Sequence, residues 1–106
     1  MNITMNRAEL LSAAQRAAAI APEDSPVEAL RGTLLEANAA TGALTLTATN
    51  LETALEQSLS CPAAEDDALV VDAKLLAGML ERLPGDTVEL KRRPGVPVLP
   101  LRGGQT

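Results

Sequence analysis

The sequence has 106 residues, enough for one domain, and contains no Phe, Tyr, Trp or His. An apolar fraction of 46% excludes a disordered chain, and a net charge of −5 argues against an isolated nucleic-acid binder, which needs clustered Lys and Arg. The single Cys61 excludes an internal disulfide; with no signal pattern over residues 1–20 and no apolar run of about 18 residues, the sequence reads as cytoplasmic and not membrane-spanning.

Met1–Met5 reads as a short strand with Ile3 and Met5 on one face. Asn6 is placed to cap a helix whose third residue, Glu9, completes a capping box. Leu10, Leu11, Ala14, Ala17 and Ala18 follow at helical spacing, with Arg16 on the far face. Pro22-Glu23-Asp24-Ser25-Pro26 ends the helix in an exposed acidic loop. Leu30–Ala37 and Ala43–Thr49 read as strands joined by a turn at Ala39–Gly42. The second alternates Leu44, Leu46 and Ala48 with threonines, the pattern of a half-buried strand.

A third strand runs from Leu51 to about Ser60, with Leu51, Leu55 and Leu59 on one face and Glu52, Glu56 and Ser58 on the other. Pro62–Asp67 reads as an acidic loop and Leu69–Val71 as a short strand. Asp72 then caps a second helix whose apolar face is Leu75, Leu76, Met79, Leu80 and Leu83, with Lys74 and Glu81 opposite. Pro84–Gly85 stops it. Thr87–Lys91 and Val96–Arg102 form a hairpin around Arg93–Gly95, and Gly103–Thr106 is a mobile tail. The order is β-α-β-β-β, then β-α-β-β: an α+β domain with two helices packed on antiparallel sheets. A core without aromatic residues predicts marginal stability in isolation, or support from a neighbouring domain.

Catalytic chemistry is scarce. Without histidine the chain lacks the usual neutral-pH base and the commonest metal ligand. Cys61 has no base beside it in the sequence and reads as a buried structural thiol. Glu65, Asp66 and Asp67 are adjacent, without the alternating oxygen spacing of a calcium loop, and read as solvated. No catalytic residue, cofactor site or metal site is expected. Lys91, Arg92 and Arg93 form the basic cluster of the C-terminal third. They read as a solubilising hairpin tip, with phosphate contact as the alternative. Without aromatic side chains, stacking on single-stranded bases is excluded, so bound nucleic acid would be met through its backbone.

Several segments carry a family resemblance. They are the opening Met1–Leu11 with its double leucine; Leu34–Leu35; Gly42-Ala43-Leu44-Thr45-Leu46-Thr47-Ala48-Thr49-Asn50-Leu51-Glu52; and Val71-Asp72-Ala73-Lys74 followed by Leu75–Pro84. In this order and spacing the chain resembles the N-terminal domain of the bacterial sliding clamp, the β subunit of DNA polymerase III. The resemblance implies a DNA-clamp fold in which residues 1–106 form a single domain, like the first of a longer clamp chain and lacking its last strand. It implies a non-enzymatic processivity module of DNA replication. Several such domains close a ring around duplex DNA, with helices lining the hole.

The implied partners are the duplex backbone, bound weakly and without sequence preference, and further clamp domains or a second copy. Polymerase and clamp loader would be met only through domains absent here. Lys74 matches a basic position that faces DNA in the family, and Arg16 and Arg82 are further candidates on the helix surfaces. Glu23 and Asp24 lie where well-known members carry a DNA-contacting arginine, and would repel phosphate. Two other readings stand beside this one: a clamp-fold protein-interaction domain that no longer binds DNA, and an enzyme fragment, which the missing histidine disfavours.

Overall fold

The computed structural model describes residues 2–20, 32–50, 52–62, 65–92 and 101–104. In chain order the elements are β1 (Asn2–Asn6), α1 (Arg7–Ile20), β2 (Gly32–Asn38), β3 (Ala43–Thr49), β4 (Ala54–Ser60), β5 (Asp67–Asp72), α2 (Ala73–Arg82), β6 (Thr87–Lys91) and β7 (Leu101–Gly104). This is the expected order. The strands form two antiparallel sheets: a three-stranded one ordered β1-β6-β7 and a four-stranded one ordered β4-β3-β2-β5.

Local chemistry explains most boundaries. The Asn6 side chain accepts from the Glu9 amide at 3.0 Å and starts α1, and Asp72 accepts from the Leu75 amide at 3.0 Å and starts α2. Asn38 Oδ1 takes the amides of Ala40 and Thr41, and Gly42 turns into β3 at φ 66°, a conformation open to glycine at little cost. The expected strand from Leu51 begins instead at Ala54, because Asn50 Oδ1 accepts from the amides of Glu52 and Thr53 and holds a turn there. Leu51 itself, and the acidic loop with Glu23 and Asp24, lie outside the described residues.

The core is aliphatic. Ile3, Leu10, Leu35, Leu44, Leu46, Leu80, Val88 and Leu90 are all but completely buried, and contributions from both sheets and both helices merge into one cluster. The helices meet through small residues: Ala13, Ala14 and Ala17 of α1 are buried, as are Ala73 and Ala77 of α2. The buried face of α2 therefore differs from the expected one. Leu76 and Leu80 point inward with the two alanines, whereas Leu75 and Met79 are 64% and 40% exposed. Alanines let the helices approach closely, which turns the i, i+4 pair Leu75 and Met79 outward.

Arg7 locks this pair of helices. From the first turn of α1 its Nε donates to the Gly85 carbonyl at 2.8 Å and its Nη1 to the Leu80 carbonyl at 2.9 Å. Its own amide donates to the Asp86 carbonyl at 2.8 Å. A fixed cation thus caps the Leu80 carbonyl in the last turn of α2, where the helix dipole favours positive charge, and the Gly85 carbonyl just beyond the helix. Ala17, late in α1, clusters with Ala73 at the start of α2, so the helices run antiparallel.

Three features depart from the loop and tail expectations. Asp67 opens β5 and is not part of a solvated loop: Arg92 Nε and Nη2 donate to its two carboxylate oxygens at 3.0 Å, with both side chains largely covered. Arg92 is therefore committed to a tie between the end of β6 and the start of β5, and is not part of a free basic tip. Lys91 lies 3.6 Å from Glu89, and Arg93 and the rest of the expected hairpin turn lie outside the described residues. Gly103 and Gly104 are not tail but part of β7, paired with Val88 and Thr87. A Cβ on Gly103 would stand 2.5 Å from the Pro84 carbonyl oxygen, so this strand approaches the end of α2 as closely as glycine permits.

Three measurements check these points. Gly103→Ala lowers the urea midpoint, by about 1–3 kcal/mol of stability for a forced shift of this kind. Arg7→Met removes two hydrogen bonds from a charged donor and costs about 2–3 kcal/mol, visible as a lower midpoint at unchanged slope. Arg92 holds the Asp67 carboxyl well below the usual carboxylate range. A depressed native value means that the stabilisation is complete above the unfolded pKa of about 4 and is lost as pH falls below it. Asp67→Asn lowers stability at pH 7 and flattens the decline of the wild type below about pH 4.

Candidate nucleic-acid interface

Arg16, Lys74 and Arg82 are all exposed, on the two helices that pack against each other. Their polar sides therefore contribute to one external surface of the α1–α2 pair, with the sheets behind it. They do not form a tight cluster. Gln15 Nε2 donates to Glu81 Oε1 at 3.1 Å and marks the seam between the helices. Lys74 lies seven residues before Glu81, about two helical turns, and so shares the seam side of α2. Arg82 shares its stripe with Leu75 and Met79, at i, i+4 and i+7 spacing, on the flank turned away from α1.

Arg16 stands on the other flank of α1, over β4. Its Nε donates to Gln57 Oε1 at 2.6 Å, and Gln57 Nε2 donates to the Ala13 carbonyl at 2.9 Å. Periodicity alone assigns Leu51, Leu55 and Leu59 to one face of this strand. The structure puts Gln57 there with Leu55 and Leu59, under the polar edge of α1. The signal that could have found it is parity: Gln57 sits midway between the two leucines in a period of two.

The sheet face away from the helices is acidic, whereas the helix surface mixes Arg16, Lys74 and Arg82 with Glu9 and Glu81. Glu36 and Glu56 alternate with inward-facing residues on β2 and β4, and with Asp66, Asn38 and Thr45 they line an open hollow on the sheet face away from the helices. Asp66 accepts from the Ala39 amide at 2.8 Å. Among the described residues no group of three His, Cys, Asp or Glu side chains is arranged to hold a metal ion. Cys61 is buried, and desolvation raises its thiol pKa, a poor setting for a nucleophile. No helix among the described residues is long and apolar enough to cross a membrane.

Comparison with known proteins fits this geometry. The family model described as "DNA polymerase III beta subunit, N-terminal domain" matches residues 1–98. No curated protein sequence matches the chain. Among solved structures, the DNA polymerase III subunit beta from Pseudomonas aeruginosa is 26% identical with a TM-score of 0.85, covering 100% of this chain and 28% of that one. The DNA polymerase III beta subunit from Thermotoga maritima is 24% identical with a TM-score of 0.85, covering 99% of this chain and 28% of its own. The DNA polymerase sliding clamp from Bacillus subtilis is 16% identical with a TM-score of 0.88, covering 100% and 29%, and speaks to fold alone. This chain thus spans under a third of the length of the structures it matches. Two helices on antiparallel sheets, the order of the elements and the match over residues 1–98 place the chain in the family of the DNA polymerase III beta subunit, as that family's N-terminal domain.

Proposed function

We propose that this domain is a non-catalytic processivity module of DNA replication, which works within a ring around duplex DNA and turns its paired helices toward the phosphate backbone. The observation that supports it most is the antiparallel α1–α2 pair, with Arg16, Lys74 and Arg82 exposed on its surface and acidic side chains gathered on the opposite sheet face. Such two-sidedness lets a chain of net charge −5 offer cations to DNA locally. A few separated cations suit sliding: each phosphate contact is weak, sequence-independent and readily exchanged. Closure around the duplex, and not affinity, then keeps the assembly on DNA.

Val70, Leu75 and Met79 are large apolar side chains left exposed. They suit burial against a further clamp domain or a second copy, because an apolar side chain in water forgoes roughly 25 cal/mol per Å². The exposed pair Leu75 and Met79 on α2 favours the second reading, a clamp-fold interaction domain without DNA binding.

A salt-titrated duplex-binding measurement separates the two. Lys74→Glu weakens binding at low salt and lowers the slope of log K against log salt by at least about 0.9. Leu75→Ser leaves that slope unchanged and reduces association between copies or domains. Loss of association with no response of duplex binding to Lys74→Glu assigns the domain to protein interaction alone.

A further inference from the structure

Gln57 uses both ends of its amide. The Ala13 carbonyl can take a hydrogen bond only from the NH2 end, so the oxygen end is obliged to face Arg16. Ala13 lies in the middle of α1, and β4 passes beneath it, so Gln57 is anchored at both its backbone and its tip. The bond to Arg16 is short, at 2.6 Å, and is made through Nε, the nitrogen nearest the chain. Among the described residues no other hydrogen bond involves Arg16, so the outer N–H groups of its guanidinium remain available. Those are the groups that make bidentate contacts with phosphate oxygens.

We propose that Gln57 is a positioning residue for the DNA-facing surface: it holds the Arg16 guanidinium by Nε so that the Nη edge is presented to a phosphate. This rests on the reading of the α1–α2 surface as a DNA interface. An exposed arginine ordinarily samples many rotamers and loses that freedom on contact. Arg16 is restrained before contact, by a neutral acceptor that leaves its charge intact. A carboxylate at residue 57 could also accept from Arg16, but it would cancel the charge that phosphate needs and would have no N–H for the Ala13 carbonyl. Glutamine supplies the restraint without the cancellation.

The test uses the 106-residue chain, a short duplex of arbitrary sequence, and the variants Gln57→Leu, Arg16→Gln and both together. In the free wild type the Arg16 Nε–H gives a slowly exchanging NMR signal, and Gln57→Leu abolishes it. Gln57→Leu also weakens duplex binding about three- to tenfold while keeping the wild-type salt slope, because no charge is removed. Arg16→Gln lowers the slope by about 0.9, and the double variant binds no more weakly than Arg16→Gln alone. Where leucine disturbs β4, shown by the backbone amide spectrum, Gln57→Met makes the same comparison with an unbranched side chain. A wild-type Arg16 Nε–H signal in the folded variant overturns the proposal, as do unchanged duplex affinity or losses that add to those of Arg16→Gln. Absence of duplex binding by the wild type at low salt would instead remove the DNA reading itself, and the Nε–H comparison would still decide whether Gln57 holds Arg16.

Discussion

Two helices can share a hydrophilic surface only if their apolar faces are buried against each other and against something behind them. Here the burial runs through alanine: Ala13, Ala14 and Ala17 on one helix, Ala73 and Ala77 on the other. Small side chains contribute little transfer free energy each, and leucine, isoleucine and valine from the sheets supply most of it, at roughly 1.5–3 kcal/mol for a full burial. What alanine contributes is proximity. With the helices close, the Leu80 carbonyl near the end of α2 and the Gly85 carbonyl just beyond it come within reach of Arg7, whose hydrogen bonds add a directional tie to the apolar contact. The placement of Arg16, Lys74 and Arg82 on the helix surface follows from that constraint.

The same packing gives the domain its electrical asymmetry. Strands alternate, so the residues that cover the core oblige their neighbours to face water on the far side, and in β2 and β4 those neighbours include Glu36 and Glu56. The helices carry their cations on the opposite side of the molecule. A net charge taken over the whole sequence averages these two surfaces and says little about either. Arg92 illustrates the point from within. It belongs to the most basic stretch of the sequence, yet its charge is consumed by Asp67 in a bidentate pair that ties one sheet to the other. Restraint of a different kind acts on Arg16, which Gln57 orients without neutralising it.

Several elements were legible in the sequence because their causes are local. Asn6 and Asp72 cap the helices they were expected to cap, since a side-chain oxygen and an amide three residues on are brought together by the first helical turn itself. The alternation of Leu44, Leu46 and Ala48 with threonine marked β3 to its residue limits. The order of strands and helices and the family resemblance were also readable, because they depend on spacing along the chain.

What spacing leaves undetermined is which elements meet. Leu75 and Met79 satisfy helical periodicity as well as Leu76 and Leu80 do, and only the approach of α1 from one side decides that the first pair stays in water. Gly103 looks like a flexible tail until Pro84 is found against it, 19 positions earlier in the sequence. Arg7, Gln57 and Arg92 find partners 73 to 78, 41 to 44 and 24 to 25 residues away. Composition and periodicity determined that this chain is an α+β domain with two capped helices, and a resemblance carried by named motifs added the clamp. Tertiary structure decided which charges are spent internally and which face outward, because a hydrogen bond or ion pair depends on distance in space and leaves no period in the chain.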